Sequence, residues 1–170
     1  RTLMERALAL DEDYADGAIH EVFITLDGMS PSMRGDAARA RTHFERAVER
    51  SKGKSASAYV AMAASVAQPA NNKEEFEKLL EQALAVNPND AGAHVLLAQL
   101  ALDDLKRADA KAEIDKALAI NPNSLDALSL SAALAWLEKR TADQTAATEA
   151  VLARHFTGRN AVVAFDHAYH

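Results

Sequence analysis

The chain has no cysteine, which excludes disulfides, thiolate metal sites and a cysteine nucleophile. Aromatic residues are also scarce, at 5% of 170 residues, alongside six Gly and four Pro. Strands favour aromatic and β-branched side chains, whereas alanine, which supplies much of the 49% hydrophobic fraction, is the best helix former. That composition predicts an all-α chain. Positive charge is in deficit too, with 19 basic against 25 acidic residues and a formal net charge of −6. Such a chain repels phosphate backbones and shows no basic stripe interleaved with aromatics, so no nucleic-acid partner is expected. No apolar run reaches the ~18 residues of a membrane span. The longest, around Leu125–Leu137, is broken by Ser129 and Ser131.

Signatures of catalysis and metal binding are missing as well. There is no G-x-S-x-G, Walker loop or dinucleotide-binding glycine pattern, so neither an enzyme nor a cofactor is expected. Six histidines are scattered at 20, 43, 94, 155, 167 and 170. His20-Glu21 opens a zinc-helix motif, but Ile24 stands where the second ligand belongs. His167 and His170 have a suitable spacing but lie at the extreme terminus, where a solvated tail is the simpler reading. His43, beside Phe44, reads as a hydrogen-bonded packing residue on a helix flank. The acidic run Asp11–Gly17 has its glycine one place late for a calcium loop, and Val22 replaces the bidentate glutamate. Helix capping explains those acids better.

What the chain does have is an internal repeat. Lys78-Leu79-Leu80-Glu81-Gln82-Ala83-Leu84-Ala85-Val86-Asn87-Pro88-Asn89 returns as Ala112-Glu113-Ile114-Asp115-Lys116-Ala117-Leu118-Ala119-Ile120-Asn121-Pro122-Asn123, with Pro88 and Pro122 separated by 34 residues. Weaker echoes are Glu5–Leu10, Glu45–Glu49 and Val151-Leu152-Ala153. Within each copy, apolar residues at helical spacing make one buried stripe, as in Phe76, Leu79, Leu80, Ala83 and Leu84. Asn-Pro then ends the helix, and Asn89 or Asp90, or Asn123 or Ser124, caps the next. The pattern predicts helices near 2–10, 14–26, 36–50, 55–67, 73–86, 90–102, 106–120, 125–138 and 141–155. Asp27–Gly35 is the longest insertion.

A 34-residue period with small residues at Ala98, Ala110 and Ala117 and with Pro122 at the close resembles the tetratricopeptide (TPR) repeat. The resemblance implies a right-handed solenoid of antiparallel helix hairpins forming one domain over 1–170. The last copy, from Leu125, reads as a terminal cap, and 157–170 as a tail or short capping helix.

The first half carries a narrower likeness. Tyr14, Gly17, Ala18 and His20 precede Gly35-Asp36, Ala40 and His43-Phe44-Glu45-Arg46-Ala47. Ser51-Lys52-Gly53-Lys54, Tyr59-Val60 and Phe76 with Leu79-Leu80 follow. This succession, over 14–86, resembles the T component of TRAP (tripartite ATP-independent periplasmic) transporters, while 87–156 reads as ordinary TPR. The resemblance implies a helical periplasmic lipoprotein, outer-membrane-anchored in this reading and open to homo-oligomer formation. Its implied partner is a periplasmic solute-binding protein.

TPR solenoids bind through the first helix of each pair. By repeat register that face carries Ala58, Ala61 and Ser65, then Val95, Gln99, Leu102 and Asp103, then Asp126, Ser129, Ala133 and Trp136. The basic clamp that grips acidic peptide tails is absent. The expectation is therefore a non-catalytic adaptor whose groove residues are Ser65, Val95, Gln99, Leu102, Asp103, Asp126, Ser129 and Trp136. The competing expectation is a carrier for a small apolar ligand, and a third is a piece of a longer TPR scaffold, since the chain opens at Arg1 without Met. For Trp136, packing between terminal helices outweighs a groove anchor, because Trp is buried on average.

Overall fold

The computed structural model describes residues 2–138 and, beyond them, Thr148 and Val151. Among the described residues the protein is all-α, with no strand. The helices are α1 (Thr2–Leu10), α2 (Ala18–Gly28), α3 (Ala37–Ser51), α4 (Ala56–Met62), α5 (Lys73–Val86), α6 (Ala91–Asp103), α7 (Arg107–Ile120) and α8 (Leu125–Leu137). The expected helix near 141–155 and the segment 157–170 fall outside the described residues, Thr148 and Val151 excepted. The chain divides into two compact units, 1–97 and 98–170, with the division inside α6.

Five of the helices, α3, α4, α5, α6 and α8, start at a side-chain cap. Asp36 accepts from the backbone N–H groups of Ala38 and Arg39, Ser55 from Ala58, and Asn72 from Glu75. Asp90 accepts from Ala93, and Ser124 from Ala127. These side chains satisfy donors that a helix N-terminus leaves without an internal partner.

The 34-residue period is visible turn by turn. Asn87 and Asn121 leave their helices at φ −135°, ψ 94° and φ −132°, ψ 90°. Asn87 N–H donates to Ala83 O and Asn121 N–H to Ala117 O, both at 2.8 Å. Asn87 Oδ1 accepts from Asn89 at 3.1 Å, and Asn121 Oδ1 from Asn123 at 3.0 Å. The other turn type repeats as well. Asn71 and Leu105 are both left-handed, at φ 54° and 60°. Asn72 N–H closes on Ala67 O at 3.0 Å, and Lys106 N–H on Ala101 O at 2.8 Å.

In the first unit, α2 packs antiparallel to α3, and α4 packs against α5. The core there is Ile19, Phe23, Ile24, Ala40, Ala47, Ala58, Met62, Phe76, Leu79, Leu80 and Ala83. Many of these are alanines, which let helix axes approach closely. In the second unit Ala98, Ile114 and Leu134 form the buried cluster, with Leu102, Leu118 and Leu130 around it.

Two local departures from the expected helices matter for the site. A helix over 14–26 is not what forms: Ala15 (φ 51°), Asp16 (φ 55°) and Gly17 (φ 86°) are left-handed, so α2 begins at Ala18. Gly17 is required twice over, by its φ and because a Cβ there would lie 2.8 Å from Arg50 Cβ. The helix expected over 55–67 does form, but its last turn, Ala63–Ala67, is a π-turn in which Gln68 N–H bonds Ala63 O at 2.9 Å. Gly28 sits against that turn, where a Cβ would meet Ser65 Cβ at 2.5 Å.

Candidate functional site

One group of polar residues in the first unit lies at one end of its helices. The left-handed turn at Ala15 and Asp16, the start of α2, the end of α3, the start of α4 and the end of α5 line an open cleft of about 750 Å³. Arg50, Lys52 and Lys54 line it together with Asp16, Glu21 and Asp90. Its floor is organised by Glu21, whose carboxylate accepts from both Ser55 and Ser57, the latter at 2.6 Å. Those bonds join the first turn of α2 to the first turn of α4. Lys52 occupies the left-handed position that ends α3, at φ 53°.

Behind the cleft, a line of ionisable groups runs between α2 and α3. Arg50 donates to Glu12 at 3.0 Å and pairs with Asp13 at 2.8 Å. Glu12 Oε1 lies 3.3 Å from His20 Nε2. His20 Nδ1 is 2.8 Å from His43 Nδ1. His43 Nε2 is 3.7 Å from Asp27 Oδ2, and Arg39 is 3.4 Å from Asp27 Oδ1. The His43 ring stacks on Phe23 at a centroid distance of 4.7 Å. His20, 3% exposed, has its pKa lowered, chiefly by burial. Hydrogen bonding and charge from Glu12 oppose that shift, while the charges of Arg50 and Arg46 add to it.

The expected reading of His43 as a hydrogen-bonded packing residue matches this geometry. The expected scatter of the histidines does not, because His20 and His43 converge although 23 positions separate them. Only the antiparallel pairing of α2 with α3 brings them together. The signal available in the sequence was one histidine on each of two adjacent helices, which many chains share without any contact. Among the described residues no three His, Asp or Glu side chains form a group able to hold a metal ion.

The residues assigned to a groove fall in both units. Ser65 is half-buried on the π-turn against Gly28. Val95 and Gln99 are half-buried on α6. Leu102 is drawn into the rim of the second unit's core, so packing already uses part of its surface. Asp103, Asp126 and Ser129 are exposed. Ala58, expected on the same face as Ser65, is fully buried. Trp136 is 64% exposed, and the terminal helix against which its packing was expected falls outside the described residues. Its own helix buries Ala127, Ala132, Leu134 and Ala135, which leaves the stripe with Ser129 and Trp136 outward.

Among the described residues no helix is long and apolar enough to cross a membrane. Among the described residues the protein is built of helical hairpins joined by recurring turns, with a polar cleft at one end of the first unit. A family model for the TRAP transporter T-component matches residues 1–112, and the chain belongs to that family. The match extends the likeness seen in the sequence over 14–86 in both directions and takes in the whole first unit. That family is one of transporter accessory proteins, so the chain has a role in a TRAP transport system. No curated protein matches it.

Proposed function

We propose that this protein is a non-catalytic, periplasmic, lipid-anchored helical-repeat subunit that docks a solute-binding protein of a TRAP system. Family membership over residues 1–112 carries the reading. The turn-for-turn recurrence from Asn71 and Asn87 to Leu105 and Asn121 supports a TPR-like solenoid as its architecture. Such a solenoid presents an extended surface to a protein partner. Trp136, with Ser129 on the same stripe, is the anchor in this reading, since an exposed Trp is a typical hot-spot residue. The cleft favours a protein partner over an apolar guest, because charged and hydroxyl side chains line most of it.

The test is binding of the purified protein to the solute-binding protein encoded with the same transporter, measured by biolayer interferometry. Saturable binding is expected, and Trp136→Ala weakens it at least about tenfold. No binding to any co-encoded solute-binding protein would overturn the reading. A native mass spectrum showing a stoichiometric apolar guest would replace it with the carrier alternative.

A further inference from the structure

The turn over 51–55, between α3 and α4, is fixed at both ends. Ser51 Oγ donates to Ala47 O at 2.7 Å, Gly53 N–H to Val48 O at 2.8 Å and Lys54 N–H to Ser51 O at 3.1 Å. Ser55 then accepts from Ala58 N–H and donates to Glu21. Lys52 and Gly53 are both left-handed, at φ 53° and 72°. A backbone held in this way carries two exposed cations, Lys52 and Lys54, into the lining of the cleft.

The other charges of the cleft are mostly engaged already. Arg50 is held by Glu12 and Asp13. Glu21 accepts from Ser55 and Ser57, and Asp90 caps α6. Among the described residues, the side chains of Lys52, Lys54 and Asp16 enter no hydrogen bond or ion pair. Two cations on one turn are therefore unengaged, against a single anion on another. The dipole at the end of α3 is reason enough for a cation at Lys52, so Lys54, which lies past that helix end, is the more telling of the two.

We infer that this turn is the docking point for an acidic segment of the protein partner, whose carboxylates meet Lys52 and Lys54. The inference rests on the docking reading above and adds the chemistry of the partner's surface. A small solute is a poorer occupant, since solute pockets are mostly apolar, and the apolar lining here is limited to Ala15, Ala56 and Val86. A membrane is poorer still, because anionic lipid is gripped by clusters of about four or more Lys and Arg, and this chain has a net charge of −6. Charge complementarity of this kind sets association rate and orientation more than the lifetime of a complex. At about 0.1 M salt its reach is only ~10 Å, so the two lysines act locally although the chain is acidic overall.

The experiment is the kinetics of binding to the co-encoded solute-binding protein by biolayer interferometry, from about 0.05 to 0.5 M salt. Lys52→Gln with Lys54→Gln is expected to slow association roughly tenfold at low salt, with dissociation within about twofold of the wild type. That difference should shrink as salt rises. Lys52→Arg with Lys54→Arg keeps both charges and should associate like the wild type. Lys78→Gln with Lys111→Gln removes as much charge from exposed sites outside the cleft and should slow association less than about twofold. Thermal melts check the fold of each variant, and should the Gln pair unfold, Lys54→Gln alone decides, with about threefold slowing expected. Wild-type binding with no slowing in the Gln pair, or equal slowing in the Lys78 and Lys111 pair, would overturn the inference and leave the docking reading standing. No binding by the wild type removes both.

Discussion

Arg41 on α3 and Glu75 on α5 meet as a two-pronged pair, each guanidinium N–H facing its own carboxylate oxygen, with Arg41 Nη2 to Glu75 Oε2 at 2.9 Å. Asn72, the cap of α5, donates to the same carboxylate at 2.9 Å. The Arg41 hydrogen bond is the main reason that the Glu75 pKa is lowered and the Arg41 pKa raised, against a smaller opposing effect of burial. Because the Arg41 side chain is 47% exposed, solvent screens the pair. A double-mutant cycle with Arg41→Ala and Glu75→Gln is therefore expected to give about 0.5–1 kcal/mol of coupling. A carboxylate whose pKa is lower when folded contributes stability above its ordinary value near 4.5 and loses it as pH falls through the folded value. Urea melts at pH 7 and at successively lower pH should show the coupling in full at the first and a decline only below the ordinary carboxylate value.

His20 gives the molecule a second acid-sensitive element. Burial lowers its pKa, so the unfolded chain takes up a proton before the folded one does. Stability from this group is complete above the ordinary value near 6.5 and declines as pH falls from there toward the folded value. His20→Gln is expected to flatten the pH dependence of Tm between about pH 6.5 and 5, relative to the wild type. An unchanged slope would show that His20 does not titrate with folding.

Gly28 should tolerate no side chain. An added Cβ would lie 2.5 Å from Ser65 Cβ and 2.7 Å from Ser65 O, and a backbone carbonyl cannot swing aside. Gly28→Ala is expected to cost about 1–3 kcal/mol by overpacking. Adding Ser65→Gly should recover part of that loss, which denaturant melts of the single and double variants would measure.

The two recurring caps should behave alike. Asp90→Ala and Ser124→Ala each remove the acceptor for one N–H in the first turn of a helix, at 2.9 Å and 3.3 Å. A loss of about 1 kcal/mol is expected for each. Equal amide protection of Ala93 and Ala127 before and after substitution would contradict it.

Trp136→Ala separates stability from binding. With 64% of the residue exposed, the substitution should leave the thermal midpoint within about 2 °C of the wild type, since surface changes rarely exceed ~0.5 kcal/mol. Partner affinity should fall at the same time. A large drop in midpoint would mean that Trp136 is a packing residue after all.

The helices were legible because their signals are local. The stripe Phe76, Leu79, Leu80, Ala83 and the Asn-Pro stops at 87–88 and 121–122 act within one or two turns of chain, and α5 falls on its expected bounds. The left-handed Ala15–Gly17 turn was not legible, since an acidic run with one glycine suits a helix start equally well. It forms because Gly17 lies against Arg50, more than thirty positions away in the chain. The π-turn at Ala63–Ala67 was hidden for a related reason, as nothing in its five residues marks it and Gly28 packs on it from another helix.

The amino-acid order by itself determined the helical class, the period of 34, the cap positions and the kinship with T-components, all of which depend on neighbours along the chain. Only the tertiary structure decided that His20 meets His43, that Glu21 ties α2 to α4 and that Trp136 faces outward. Those outcomes depend on which helix faces pair and how closely they approach, and small alanine-rich faces leave that choice to the packing of the whole unit.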